Sequence, residues 1–281
     1  TYNLIIGAAD MGTGCDTILA QMAAECMDCG VEDVAVFGAD TDASPYDSGS
    51  YASSTTYITG KAVERACAEL KDKIRAIAAE MLHCSAGEIV FEGRQVRRAS
   101  TGETLTLEQI GYKSQVSNCI AAEATASHSS PVSPPPYMVG MVEIELDKET
   151  GLVTVLDYMA VVDCGIAINP ALARIQAEGG IVQGIGHTLT ENVQYDHTGR
   201  PIESSFLQYR LPTRLDMGRL RVEFEDSYEP TGPFGAKSIG EIVINTPAPA
   251  LTHAIYRATG VWHRELPITP EQIALSLEQN A

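Results

Sequence analysis

The chain lacks the features that mark membrane, nucleic-acid-binding and secreted proteins. No apolar run reaches the roughly 18 residues of a membrane-spanning helix. Only 19 Lys and Arg stand against 37 Asp and Glu, and the resulting formal charge of −18 argues against binding nucleic-acid phosphates or anionic membrane surfaces. The N-terminus has neither the basic region nor the cleavage site of a leader peptide. It starts without Met inside a predicted strand, so we expect one piece of something larger.

The seven cysteines do not have the pattern of a disulfide framework. They are odd in number and scattered, at positions 15, 26, 29, 67, 84, 119 and 164. This pattern favours reduced thiols and a cytoplasmic location. Cys26 and Cys29 have the spacing of a metal-binding pair, but no second pair or His follows at zinc-finger spacing. We interpret them as two thiols at the end of a helix.

The order of strand and helix patterns predicts an α+β fold with mixed sheets and covering helices in two lobes. A stretch rich in Ser and Pro, 126–136, separates a first lobe (1–125) from a second lobe (137–281). Apolar periodicity and capping signals predict helices at 15–29, 57–83, 171–186 and 245–259, and after Thr106 and Thr269. Apolar alternation predicts strands at 3–7, 33–38 and 220–225 and hairpins at 88–96 and 137–162.

Two segments of the first lobe have the composition of ligand-binding loops. The segment GAADMGTG (7–14) lies between a predicted strand and helix, an arrangement that points helix N-terminal amides at the loop. Its spacing matches neither the P-loop nor the dinucleotide fingerprint, which leaves another ligand cradle or a tight turn. Residues 48–56 (SGSYASSTT) place hydroxyl groups ahead of a long helix. They either donate to phosphate or other polar oxygens, or they cap the helix.

The helix predicted from Ala171 is unusually rich in glycine, with four between 179 and 186. A glycine inside a helix costs about 1 kcal/mol relative to alanine. We therefore expect either another backbone or a flat ligand to approach this helix closely. Gln183 lies among these glycines and could present both faces of its amide.

A third glycine-rich segment, GPFGAKSIGE, occupies 232–241. Three glycines in ten residues indicate a close approach or a positive φ. Glu241 ends this loop directly ahead of a helix pattern. Its carboxylate either performs acid–base chemistry in a buried cofactor site or caps the following helix from the surface.

Four segments in this order resemble the molybdenum hydroxylase family, that of xanthine dehydrogenase and aldehyde oxidase. The segments are GAADMGTG (7–14), GSYASSTTYITG (49–60), DCGIAINP with EGGIVQGIG (163–170 and 178–186), and GPFGAKSIGE (232–241). The resemblance covers nearly the whole chain and is to the second half of the molybdopterin-binding subunit. It implies the molybdopterin-binding fold of the xanthine dehydrogenase type. The implied cofactor is molybdenum-molybdopterin, in its mononucleotide or cytosine dinucleotide form, with no protein ligand to the metal itself.

The resemblance also implies functional residues. Glu241 corresponds to the family's catalytic glutamate, Gln183 to a glutamine that hydrogen-bonds the pterin, and Ala52 to a small residue beside the molybdenum. The other cofactor-binding residues that it implies are Gly12, Thr13, Gly14, Tyr51, Ser53, Ser54, Thr55, Gly184, Lys237, Ser238, Ile239 and Gly240. The chain departs from the family at Thr13, where many relatives carry Gln. Tyr51 is bulkier than the alanine of xanthine oxidases, so a purine pocket does not follow from the resemblance.

The reaction that the resemblance implies is hydroxylation of an N-heterocycle, purine- or nicotinate-like, with oxygen from water and hydride transfer to the molybdenum centre. The same chemistry on an aldehyde, or a non-catalytic cofactor-binding scaffold, remain alternatives. The chain has no four-cysteine iron–sulfur motif, no flavin-binding pattern and none of the substrate loops of the family's first half. The resemblance therefore implies an oxidoreductase acting on CH or CH2 groups only with partner chains. These partners are a second molybdopterin-binding half, an iron–sulfur subunit and an FAD subunit, assembled as a dimer of heteromers.

Overall fold

The computed structural model describes residues 1–117 and 121–279. Cys119 therefore lies outside the described residues, and the other six cysteines are free thiols. Among the helices in these ranges, none combines the length and apolar composition that a membrane crossing requires. The chain forms two compact units: unit 1 is Thr1–Pro134 with Tyr228–Ser238, and unit 2 is Pro135–Ser227 with Ile239–Ala281.

Unit 1 begins with a strand–helix–strand element. Strands β1 (Tyr2–Ile6) and β2 (Val34–Gly38) pair in parallel, and helix α1 (Cys15–Met27) connects them. The long helix α2 (Thr55–Met81) packs against α1. Its buried residues recur every three or four positions, which places one apolar stripe toward α1. They are Tyr57, Gly60, Val63, Cys67, Ile74, Ala78 and Ala79.

The rest of unit 1 is a small antiparallel sheet followed by a helix. Its strands β3 (Ile89–Glu92), β4 (Gln95–Arg98) and β5 (Thr104–Thr106) pair in that order, and helix α3 (Leu107–Ser117) follows. The predicted capping box is present, because Gln109 N–H donates to Thr106 Oγ1 at 3.2 Å and Thr106 N–H donates to Gln109 Oε1 at 2.8 Å. These two bonds fix where α3 begins.

Unit 2 is a three-stranded sheet covered by helices. Strands β6 (Tyr137–Leu146) and β7 (Val153–Asp163) pair antiparallel, and β8 (Met217–Phe224) pairs with β7 in parallel. Its helices are α4 (Pro170–Leu189), the short α5 (Ile242–Asn245), α6 (Pro247–Thr259) and α7 (Pro270–Gln279). The core lies between β7 and the helices, and its buried members include Val155, Tyr158, Ala160, Val162, Ala177, Ile181, Ile185 and Leu251.

Several observed elements differ from the predicted ones in their bounds, and strand β5 was not predicted. The helix predicted at 245–259 is α6, which begins at Pro247 because proline has no N–H to continue a preceding helix and suits the first helical position; the short helix α5 precedes it. Helix α1 ends at Met27 rather than at residue 29, because Asp28 adopts a left-handed conformation with φ of 53°. The segment 228–238, which we predicted within the second lobe, belongs to unit 1.

Candidate functional site

The loop at 7–14 is organised by its own carboxylate. Asp10 Oδ1 accepts hydrogen bonds from Gly12 N–H at 2.9 Å and Gly14 N–H at 3.1 Å. Asp10 Oδ2 accepts one from Asp16 N–H at 3.4 Å. Desolvation acts to raise the pKa of Asp10, but these backbone donors outweigh it, so the pKa lies below its ordinary value. The anion at the start of α1 is therefore Asp10 itself, and the amides of Gly12 and Gly14 already have an acceptor within the chain.

The same loop brings three potential metal ligands together, but its chemistry does not suit a metal ion. Donor atoms of Asp10, Cys15 and Asp16 lie within 4.8 Å of one another. Burial raises the pKa of the Cys15 thiol to about 12, which disfavours the thiolate that a metal needs. Because Asp10 already accepts three backbone hydrogen bonds, we assign this cluster to the loop's own structure.

The segment 50–55 combines strained backbone with a buried polar atom. Ala52 and Ser53 both have left-handed backbone, with φ of 52° and 53°, a conformation that costs a residue with a Cβ about 1–2 kcal/mol. Ser50 Oγ is buried without a hydrogen-bond partner among the described residues. Ser54 occupies the N-cap of α2 but makes no side-chain capping bond. The capping interpretation therefore does not apply to Ser54, and the strained turn favours a ligand-binding role.

The segment 228–238 is attached to the beginning of α2. Tyr57 N–H donates to Ser238 Oγ at 3.2 Å, and the Tyr57 hydroxyl donates to Thr231 Oγ1 at 2.7 Å. Phe234 N–H donates to Glu64 Oε1 at 3.1 Å. Phe234 has a φ of 50°, so the Glu64 carboxylate stabilises a strained peptide inside the glycine-rich motif.

Asp47 connects the first two loops of unit 1. Gly49 N–H donates to Asp47 Oδ1 at 2.8 Å. Gly7 lies so close to Pro45 and Asp47 that a Cβ at Gly7 would overlap both. Together with the Ser238 bond, these contacts bring three of the four predicted motifs to the N-terminal end of α2. This convergence is a property of unit 1 alone.

In unit 2, the motif DCGIAINP forms the start of α4. Asn169 Oδ1 accepts Leu172 N–H at 3.1 Å as a helix cap, and Pro170 occupies the first helical position. Asp163 Oδ1 accepts Gly165 N–H at 3.0 Å. These bonds give the motif a structural role in setting the direction of α4.

The glycines of α4 allow another backbone to approach closely. A side chain at Gly180 would overlap Val243 of α5, and one at Gly184 would meet Pro247 Cγ at 2.7 Å and the Ile244 carbonyl oxygen at 3.0 Å. Of the two explanations that the sequence left open, the structure shows close helix packing at these positions. Gly184 is buried in this packing, and its contact with the cofactor stays a prediction.

Glu241 lies at the N-cap position of α5, with φ of −102° and ψ of −23°. Its side chain makes no capping hydrogen bond, so the capping interpretation does not apply here either. The side chain is exposed in this chain, whereas we expected a buried site. The residue before it is fixed, because the Gly240 carbonyl accepts a hydrogen bond from Gln176 Nε2 at 3.2 Å.

The other predicted residues differ in exposure. Gln183 is exposed on α4, and Tyr51 is 62% exposed. Ser238 is buried, and Lys237, Ile239 and Gly240 are half-buried. The chain passes from unit 1 to unit 2 between Ser238 and Ile239, inside the motif that ends in Glu241.

Sequence reasoning missed the side chains that position these loops, chiefly Asp47, Glu64 and Gln176. Gln176 had a recognisable signal, because it stands four residues before Gly180 and eight before Gly184 and therefore lies on the same helix face. Asp47 also had a local signal, because it stands two residues before its partner Gly49, the spacing of an Asx turn. Glu64 had none, since its partner Phe234 is brought to it by the fold.

The described residues fit a cofactor that carries polar oxygens and amide edges. The space beyond Gly12 is open, since a Cβ there would meet nothing within 4 Å. Ser50 Oγ is a buried polar atom that lacks a partner. The exposed amide of Gln183 offers both donors and an acceptor. Helix N-termini, hydroxyls and amides are the usual partners of phosphate and heterocyclic groups.

Comparison with known proteins identifies the relatives. The family model of the molybdopterin cofactor-binding domain matches residues 1–218. The probable hypoxanthine oxidase XdhD of Escherichia coli K12 is 36% identical over 281 residues, which cover 99% of this chain and 29% of that protein. The gamma subunit of the 6-hydroxypseudooxynicotine dehydrogenase complex of Paenarthrobacter nicotinovorans is 34% identical, covering 95% of this chain and 35% of that protein.

A solved structure shows the same fold over nearly the whole chain. Quinoline 2-oxidoreductase of Pseudomonas putida 86 superposes with a TM-score of 0.88 at 28% identity, covering 99% of this chain and 36% of that one. The chain thus spans about a third of the length of the relatives it matches. The predicted α+β class and fold type are confirmed. The chain therefore belongs to the molybdenum hydroxylase family, whose molybdopterin cofactor-binding domain it carries.

Proposed function

We propose that this chain is part of an oxidoreductase that hydroxylates an N-heterocycle, with Glu241 as its catalytic base. The family assignment supports molybdopterin binding. The names of three relatives refer to hypoxanthine, 6-hydroxypseudooxynicotine and quinoline, and each of these compounds contains a nitrogen heterocycle. These names favour an N-heterocycle over the aldehyde alternative.

Each unit offers polar groups suited to the cofactor. In unit 1 they are Ser50 Oγ and the Ala52–Thr55 turn, and in unit 2 the amide of Gln183. When bound, the cofactor supplies the two-electron oxidation that allows oxygen from water to enter a C–H bond. The net reaction converts R–H and water into R–OH, two protons and two electrons.

Glu241 has the chemistry of the proton acceptor. A carboxylate oxygen of Glu241 takes a proton from water as the carbon–oxygen bond forms, and a positioned base of this kind contributes about 10²–10⁴-fold to rate. One observation carries the proposal: the backbone before Glu241 is fixed by Gln176, while the carboxylate is exposed and does not cap α5. Such a carboxylate can act on a bound substrate.

The proposal includes partner chains. The two electrons must leave the site, and this chain has no iron–sulfur or flavin motif to accept them. We propose an iron–sulfur subunit, an FAD subunit and the remaining molybdopterin-binding half as partners in a cytoplasmic dimer of heteromers. The name of one relative describes a subunit of a dehydrogenase complex, which supports this assembly. The cytosine dinucleotide form of the cofactor is tested by nucleotide release from the purified complex.

The decisive experiment is Glu241→Gln in the assembled enzyme. We expect turnover to decrease by about 10²-fold or more, with molybdenum and pterin content unchanged. The exposed Glu265, changed to Gln, is the matched control. Near-full turnover of Glu241→Gln at unchanged molybdenum content would refute the proposed base. A panel of N-heterocycles and aldehydes, assayed on the wild-type enzyme, decides between the two substrate classes.

A further inference from the structure

Three residues on one face of α4 contact α5 and the residues on either side of it, all within unit 2. Gln176, Gly180 and Gly184 are spaced by four residues and share one face of α4. Gly180 admits Val243 of α5, and Gly184 admits Pro247 at the start of α6. The glycines therefore set how closely α5 approaches α4. Gln176 is the polar residue at the end of this row.

The Gln176 side chain acts on the peptide that precedes Glu241. Its Nε2 donates to the Gly240 carbonyl at 3.2 Å. The Gly240 carbonyl and the Glu241 nitrogen lie in one planar peptide unit, so orienting the carbonyl also orients the N–Cα bond of Glu241. Glycine is conformationally permissive, and position 240 therefore needs an external partner to keep one orientation.

The opposite end of α5 has its own anchor. The hydroxyls of Tyr158 and Thr246 lie 2.9 Å apart. A Cβ at Gly140 would overlap the Tyr158 hydroxyl, so glycine at that position leaves room for this pair. Tyr158 belongs to the buried core of unit 2. Helix α5 is thus fixed at its C-terminal end without Gln176, and Gln176 controls its N-terminal end.

We propose that Gln176 is a positioning residue for Glu241. This inference rests on the proposed function, because it assumes that Glu241 is the base. Without the hydrogen bond from Gln176, the 240–241 peptide would rotate and change the direction in which the Glu241 side chain leaves the backbone. Misplacing a catalytic group by about 1 Å costs up to 10²-fold in rate.

Two substitutions separate this role from a general packing role. Gln176→Met preserves the length of the side chain but removes the donor. Gln176→Glu preserves the shape but donates only when its carboxyl is protonated. In the assembled enzyme we expect kcat of Gln176→Met to decrease by about 10- to 10²-fold, with little change in KM or in molybdenum content. The ratio of Gln176→Glu to wild-type kcat should increase as pH is lowered, whereas the ratio for Gln176→Met should not depend on pH.

A measurement independent of turnover tests the same contact. Backbone amide exchange in a peptide covering residues 240–246 should accelerate in Gln176→Met and not in Arg174→Met, an exposed position on the same helix. Wild-type kcat in Gln176→Met, or a loss that parallels lost molybdenum, would overturn the proposal. If Glu241→Gln abolishes turnover while Gln176→Met does not, the base is confirmed and the positioning role fails. If Glu241→Gln is active, the proposed function itself fails.

Discussion

The loops of unit 1 and the start of α5 in unit 2 are fixed by different physical means. In unit 1, the carboxylates of Asp10, Asp47 and Glu64 accept hydrogen bonds from backbone N–H groups of the glycine-rich loops. In unit 2, neutral contacts position α5: the packing of Gly180 against Val243 and the Gln176 amide on the Gly240 carbonyl. The backbone donors hold the pKa of Asp10 below its ordinary value, so its hydrogen bonds respond to pH, whereas close packing responds to side-chain volume.

The two units should therefore be sensitive to different changes, one to charge and pH and the other to side-chain volume. The Asp10-centred part of the 7–14 loop should depend on charge more than on volume, because a Cβ at Gly12 would meet no neighbour, although the φ of 99° there disfavours a side chain. The α4–α5 contact of unit 2 should tolerate changes of pH but not an added methyl group. Substitutions in the two units can therefore test whether one segment depends on charge and the other on packing.

The largest effect is expected for Gly180→Ala, as a loss of folding stability. Gly180→Ala would place a Cβ against Val243, and overpacking of this kind costs about 1–3 kcal/mol in the free energy of unfolding. The neighbouring Gly179→Ala is the matched control, because nothing lies within 4 Å of a Cβ there. That control should instead stabilise the helix by about 0.5–1 kcal/mol. Thermal unfolding of the two variants decides; equal midpoints would contradict close packing as the reason for Gly180.

The glycine-rich helix shows what the sequence could predict and what it could not. The cost of glycine in a helix predicted a close approach, and the approach is real at Gly180 and Gly184. Which neighbour approaches depends on the path of a chain more than 50 residues further along, in α5. Local patterns carry no information on such partners. Pro247 was a local signal for the start of α6, which begins two residues after the predicted start.

At the loop 7–14, too, the sequence pattern did not reveal which group is the partner. Its glycines and its place before α1 predicted an anion at the helix start, but the sequence did not reveal that Asp10 supplies the anion. An Asp two to six residues before its partners can fold back onto their amides. Glu241, in contrast, was identified by its resemblance to the family, and its assignment as the base remains a prediction.

An intermediate effect is expected for Gln183→Ala, as weaker retention of the cofactor. Its exposed amide is predicted to hydrogen-bond the pterin, and one such bond contributes about 1 kcal/mol. Gln183→Ala should therefore weaken cofactor retention by roughly fivefold, since 1.4 kcal/mol is tenfold in affinity. Turnover per molybdenum should remain near the wild-type value. Metal analysis beside kinetics measures both, with the exposed Gln194, changed to Ala, as control. Full cofactor occupancy in Gln183→Ala would remove this residue from the predicted site.

The smallest effect is expected for Asp10→Asn, which should change stability slightly and in a way that depends on pH. The folded-state pKa of Asp10 is lowered by its backbone donors, so folding favours the ionised carboxylate. That contribution is complete above the unfolded pKa of about 4 and disappears as pH decreases through the lower folded pKa.

Asp10→Asn retains an acceptor oxygen but loses the negative charge at the start of α1. It should lower stability by only about 0.5 kcal/mol at neutral pH, the size of a helix-terminus charge effect at an exposed position. The difference from wild type should begin to shrink as pH decreases below about 4 and should vanish below the lower folded pKa, where the wild-type carboxyl is neutral too. Amide exchange of residues 7–18 between pH 7 and pH 3 measures this, with the exposed Asp42, changed to Asn, as control.

In unit 2, exchange of residues 240–246 should show no matching dependence on Asp10. A difference in unit 1 that persists unchanged at pH 3 would mean that the Asp10 side chain stabilises the loop by its shape, and the contrast between a charge-fixed and a packing-fixed segment would not hold.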